Sequence, residues 1–128
     1  MRPVDEVADV ITGLFADWQV YSDAIPEEVI DDRHVTQVLL TEAQSDVSEY
    51  GGNTFNMMSL GVDIQIFYSL DYDKNMLLSE VILMKQLEDA RWRVVDSQAH
   101  YLDLSQTDNQ QTIKNITVNK TVLVDEIG

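Results

Sequence analysis

Residues 57–70, MMSLGVDIQIFYSL, decide the fold. From Leu60 onward, Leu60, Val62, Ile64, Ile66, Tyr68 and Leu70 fall on every second position, with Gly61, Asp63, Gln65, Phe67 and Ser69 between them. Successive side chains of a strand point to opposite faces, so one face here is apolar and the other mostly wet. A helix would scatter the same apolar groups around its cylinder. The stretch predicts a long, central, antiparallel strand carrying a core on one side only.

N-terminal to it, Val35–Thr41 (VTQVLLT) predicts a second strand, although Val38, Leu39 and Leu40 blur the alternation. Between the two, Glu42–Asn56 holds Gln44, Ser45, Asp46, Ser48, Gly51, Gly52 and Asn53, a dense set of turn formers. It reads as a long loop, and loops of that length tend to carry function. Tyr50 and Phe55 within it either fold back onto the sheet or meet a partner.

On the other side, Asp71, Asp73 and Asn75 fit the first half of a calcium loop. Met76 stands where glycine is required and Ile82 where glutamate is required, so helix capping by Asp73 or Asn75 is preferred. A helix is predicted from Asn75 to about Ala90. Leu77, Val81 and Met84 form its stripe, widened by Leu78, Ile82 and Leu87, while Glu80, Lys85, Glu88 and Asp89 mark the wetter side. Met76 and Met84 read as core gap-fillers. Trp92–Asp103 predicts a third long strand, with Trp92, Val94 and Leu102 on one face and Val95, Ala99 and Tyr101 on the other. Its imperfect alternation points to a bulge or a second buried face. After the turn-rich Ser105–Gln111, Thr112–Val124 is a β-branched strand. Lys120 interrupts its apolar face of Ile116, Val118, Val122 and Val124, which implies a bulge or an interfacial cation. The sequons at Asn115 and Asn119 are coincidental without an export signal.

At the start of the chain, Pro3 presets a first helical turn that Asp5 and Glu6 favour electrostatically. Val4, Val7, Ile11, Leu14, Phe15 and Trp18 recur at helical spacing, predicting a helix over Pro3–Trp18 with Trp18 in the core. Gln19–Arg33 is a connector with one helical turn at Pro26. His34 beside Asp31 and Asp32 has the composition of an oriented base, but no serine or cysteine motif accompanies it or His100; a surface loop is the expectation.

The predicted order is α-β-β-α-β-β in one domain, residues 1–128: an α+β fold with an antiparallel four-stranded sheet, two helices packed on one face and a long C-terminal hairpin. A chain of this length buries roughly two-thirds of its unfolded surface without staples, in keeping with the absence of cysteine. No run approaches about 18 apolar residues, and the acidic amphipathic start does not resemble a signal peptide, so no membrane role is expected.

Twenty-three Asp and Glu against eight Lys and Arg leave a formal charge of −15. Such a surface disfavours binding to nucleic-acid phosphates or anionic lipid. It suits a DNA mimic, the lining of a passage through which DNA slides, or simple solubility. No phosphate-cradling glycine loop, zinc-protease helix or serine elbow is present, so no catalytic residue, cofactor or metal is expected and the protein is expected to act through its surface.

Leu39-Leu40-Thr41-Glu42, Glu49-Tyr50-Gly51-Gly52-Asn53 and Val62-Asp63-Ile64-Gln65-Ile66-Phe67-Tyr68-Ser69, ending at Asp73, resemble a family of small tail proteins of siphoviruses, the long non-contractile-tailed phages of Gram-positive bacteria. The length, the N-terminal helix and the element order also look like the tail terminators of such phages, head-tail joining minor tail proteins. The resemblance implies a homo-oligomeric ring, a hexamer, that caps the tail tube protein and meets the head-tail connector protein. It implies a virion (tail/neck) protein, assembled in the host cytoplasm, through which DNA passes without specific binding. Ring or tube contacts are then expected at Tyr50, Asn53 and Phe55 and at the Ser105–Gln111 tip with Gln106, Asp108 and Asn109; Asp63 and Gln65 are candidates for the lumen. The alternative is an acidic DNA-mimic inhibitor of a nucleic-acid-binding protein.

Overall fold

The computed structural model describes residues 2–51, 54–105 and 107–126. Its elements are α1 (Pro3–Leu14), β1 (Gln19–Ser22), β2 (Gln37–Gly51), β3 (Thr54–Phe67), α2 (Met76–Asp89), β4 (Arg93–Ser97), β5 (Tyr101–Leu102), β6 (Thr112–Leu123) and a closing 3-10 turn, Val124–Glu126. The class is α+β as expected, but the sheet is six-stranded and mixed, in the order β1-β2-β3-β6-β4, with β5 also paired to β6.

β3 is the strand that the alternation predicted. Leu60, Val62, Ile64 and Ile66 are buried, as is Tyr68 just past its end, while Leu70 is exposed. The same face of β2 supplies Val38 and Leu40, and that of β6 supplies Ile116, Val118 and Val122. Val4, Val7 and Ile11 of α1 join Leu83 and Leu87 of α2 in the same core, so both helices cover one face of the sheet. At about 25 cal/mol per Å² of apolar surface removed from water, this single layer of contacts is the main force holding the helices down.

Several expectations are corrected. Residues 42–51 and 54–56 are strand rather than loop: β2 and β3 pair up to Gly51↔Thr54, with irregular register near Glu42, Val47 and Glu49. The turn-forming residue types of the segment are carried largely within the paired strands, whose register shifts take up the irregularity. The long hairpin is therefore this one and not the C-terminal one, because β6 inserts between β3 and β4. Gln19–Ser22 is a strand, parallel to β2 through Gln19↔Gln37 to Ser22↔Leu40. Helix α1 stops at Leu14, although Trp18 remains in the core, stacked on Phe15 with ring centroids 4.0 Å apart. Residues 27–31 form successive turns, with Val29 N donating to Pro26 O and Asp32 N to Val29 O, rather than a helix.

Residues 92–103 do not make one strand. The register slips between Val94 and Asp96, the bulge that the alternation suggested, and pairing stops after Ser97. Lys114 Nζ then donates to the Gln98 carbonyl and Gln98 N donates to Asn115 O, 3.0 Å, before β5 resumes. Lys120 causes no bulge, since β3 and β6 stay in register from Met57↔Leu123 to Phe67↔Ile113. Its ammonium lies 2.9 Å from Glu6 Oε1 and 5.5 Å from the Trp92 ring centre, tying β6 to α1 within the chain.

Helix α2 starts as predicted, with Asn75 Oδ1 accepting from Leu78 N at 3.1 Å. At its end Trp92 N donates to Leu87 O and Arg91 N to Glu88 O, with Arg91 at φ 71° in the left-handed region usually given to glycine. This double closure, with Leu87 and Trp92 both buried, turns the chain from α2 into β4. The buried face of α2 is only partly the predicted one: Leu87 is buried and Met76 and Met84 pack against the core as expected. Ser79, Glu80, Leu83 and Leu87 point inward, and Leu77, Leu78 and Ile82 point out.

Candidate functional site

The sheet face opposite the helices is open. Alternation places Leu39 and Thr41 of β2, Asp63, Gln65 and Phe67 of β3, and Ile113, Asn115 and Thr117 of β6 on it. Midway along, Asp63 Oδ1 accepts from Thr117 Oγ1 at 2.7 Å, and Tyr101 OH accepts from Asn115 Nδ2 at 3.0 Å and Gln65 Nε2 at 3.3 Å. These cross-strand bonds line a shallow cleft of about 270 Å³. Asp63 is exposed and Gln65 half-buried, so both lumen candidates lie on the solvent side of the sheet.

A larger cleft, about 640 Å³, opens towards the Phe67 end. Residues 23–31 and 103–111 flank it, and its floor is Leu39, Phe67 and Ile113. Three carboxylates stand at its edge. Arg2 Nη2 grips Asp23 at 2.7 Å, and this hydrogen bond above all holds the Asp23 carboxyl below the usual range. Asp103 Oδ1 accepts from Ser105 N and Oγ, and Asp31 is exposed.

The expected contact residues divide between two ends of the molecule. Tyr50 and Phe55 are backbone register partners near the end of the β2–β3 pair. Asn53 and Gln106 lie outside the described residues, as do the side chains of Tyr50 and Phe55. Asp108 and Asn109 are exposed at the far end of β3, where the Asp108 carbonyl accepts from Arg33 Nη1 at 3.0 Å and Asn109 has φ 53°. At about 3.3 Å per residue, the pair Tyr50/Phe55 is separated from the Phe67 end by roughly 40 Å. One contact cannot use both. His34 is exposed on its turn, with its backbone N–H donating to Asp32 Oδ1 at 3.1 Å.

The DUF806 family, described as a protein of unknown function, matches residues 1–123. The chain belongs to DUF806. No curated protein matches it.

One polar cluster in this DUF806 chain escaped the sequence reading. Glu80, placed there on the wet side, has a fully buried carboxylate beneath α2. Its Oε2 accepts from Tyr68 OH at 2.6 Å and lies 2.6 Å from His100 Nε2, while Oε1 has no partner among the described residues. Burial, reinforced by the bond to this carboxylate, pushes the Tyr68 hydroxyl far above its ordinary value. Beside it, Tyr72 OH and Ser79 Oγ are 2.7 Å apart. The group pins helix to sheet and lines neither of the clefts described above, although Tyr72 borders a third, of about 340 Å³, beside His34 and Asp73. A signal did exist: Met76, Glu80, Leu83 and Leu87 share one helical face.

Proposed function

We propose that this DUF806 protein is a structural phage component, a tail terminator that caps the tail tube and joins it to the head connector as a ring around the DNA passage. The observation that carries the proposal is the β2–β3 hairpin. Beyond Met57↔Leu123, where β6 ends, it continues to Gly51↔Thr54 with no further strand beside it among the described residues. Such an arm suits contact with a neighbouring copy or the tube. The charge of −15 supports the same role, because phosphate affinity comes from cations that displace counterions, and an acidic wall lets DNA slide. In this role the protein acts through its surfaces and not as an enzyme, inside the virion neck after assembly in the host cytoplasm.

The test is mass by light scattering, alone and with tail tube protein, with electron microscopy of the products. A hexameric ring, or a ring seated on tubes, is the expected result. Changing both Tyr50→Ala and Phe55→Ala should leave the monomer folded and impair ring formation or tail joining. A wild-type monomer that ignores the tube in every condition would overturn the proposal and favour a DNA mimic, whose grip on a basic nuclease or repressor would weaken with salt.

A further inference from the structure

We infer that the open sheet face binds an extended segment of a partner protein that carries an arginine beside apolar residues, with the guanidinium seated in the 640 Å³ cleft. Small-ligand sites commonly occupy about 300–1,000 Å³. The cleft joins three apolar side chains, Leu39, Phe67 and Ile113, to two amides, Gln37 and Gln111. These amides are 3% and 6% exposed. Each uses its N–H on a backbone carbonyl, Val29 O at 2.6 Å and Tyr68 O at 3.0 Å, while its oxygen accepts from no described residue. Neither oxygen is sealed off, since Glu80 Oε1 is the one buried side-chain atom without a partner among the described residues. The open space that both side chains border is the cleft, and near-buried acceptors call for donors.

The walls carry the matching sign. Asp23, Asp31 and Asp103 line this cleft, and Asp63 lines the 270 Å³ cleft that adjoins it through Leu39 and Gln65. Among the described residues, no lysine, arginine or histidine lines either one. Arg2 offsets Asp23 from outside, and Asp63 and Asp103 already accept from the hydroxyls of Thr117 and Ser105. The exposed Asp31 is therefore the carboxylate most open to a new cation. An arginine answers every part: an apolar stem for the floor, five donors and no acceptor for the amide oxygens, and a permanent charge for Asp31. The two clefts form one track along β3 from Phe67 to Asp63, about 13 Å, which suits a chain segment better than a compact solute. The inference does not depend on the ring; within a ring it would turn Asp63 and Gln65 towards a protein rather than the DNA passage.

The probe is the peptide acetyl-Leu-Arg-Leu-amide, titrated into the isotope-labelled full chain and followed by backbone amide shifts. Saturable shifts at Leu39, Gln65, Phe67 and Ile113 are the expected result. The citrulline peptide, equal in shape but uncharged, should bind about tenfold more weakly, and the lysine peptide about threefold, because its donors do not form a planar fork. Asp31→Asn should weaken the arginine peptide about fivefold. Asp9→Asn removes the same charge from an exposed position of α1, on the other side of the sheet, and should leave binding unchanged. Circular dichroism confirms that both variants fold. No shifts at millimolar peptide, shifts centred elsewhere, or equal weakening by the two variants overturns the site. Equal binding of the arginine and citrulline peptides overturns the guanidinium. Arginine amide that binds as tightly as the peptide overturns the chain segment in favour of a small guanidine. Shifts of the same residues on concentrating the chain alone overturn the partner protein in favour of a second copy. The ring is decided separately, by light scattering.

Discussion

Helices α1 and α2 lie on the same sheet face, yet their sequences specify burial in different ways. In α1, Val4, Val7 and Ile11 are fully buried and Asp5, Asp9 and Thr12 are exposed, as an amphipathic stripe requires. In α2, apolar residues stand on nearly every side, so spacing alone does not select an inner face. The choice follows from what the neighbouring segments offer. Tyr68 and Tyr72, just beyond β3, present hydroxyls to Glu80 and Ser79, and His100 reaches Glu80 from the break between β4 and β5. Buried polar groups demand partners, and these partners turn two polar side chains inward and leave three aliphatic ones in water.

The largest effect that separates the helices' two faces is apolar truncation. Leu83→Ala should cost about 2–5 kcal/mol in urea unfolding, and Leu78→Ala less than about 0.5 kcal/mol. Equal costs at the two positions would mean that α2 is rolled the other way. Next comes the polar seam. Removing one partner of a fully buried ion pair costs about 3–5 kcal/mol, but the His100 side chain is 34% exposed, so His100→Ala should cost about 1–2 kcal/mol. Tyr68→Phe takes a second donor from the same carboxylate oxygen and should cost about 1–2 kcal/mol. Because both act on Glu80, the double variant should depart from the sum of the singles by at least about 0.5 kcal/mol; strict additivity would show that the cluster does not act as a unit.

What the sequence made legible follows from range. β3 was readable because its alternation runs through Leu60, Val62, Ile64 and Ile66 without interruption, and the Asn75 cap because its bond spans three residues. Asp63 and Gln65 were placed on the wet face by the same alternation. The β2–β3 hairpin was missed because its polar outer half looks like loop. Gly51, Gly52 and Asn53 stand there among four other turn formers, so no single tight turn is singled out by residue type. β1 is four residues long and its parallel partner is fixed only in three dimensions. Glu80 and His100 are twenty residues apart, and no local pattern announces that they meet.

The smallest expected effect lies at the start of α1, where the same chemistry is solvated. Arg2 joins Asp23 at 2.7 Å and Glu42 at 3.3 Å, with all three side chains about half exposed. Water and salt screen such a pair, so it adds far less than the buried seam under α2. Its signature is in the pH profile. The hydrogen bond from Arg2 lowers the Asp23 carboxyl in the folded state, so the folded chain releases that proton more readily than the unfolded one. The resulting stabilisation is present above the ordinary Asp value of about 3.9 and is lost as pH falls through the depressed folded value. Asp23→Asn should therefore lower stability slightly at neutral pH, by less than either His100→Ala or Tyr68→Phe. The gap from wild type should close below about pH 4, and molar salt should narrow it at pH 7. A gap that widened in acid would mean that Asp23 opposes folding at neutral pH, and the exposed pair would then have no part in anchoring α1.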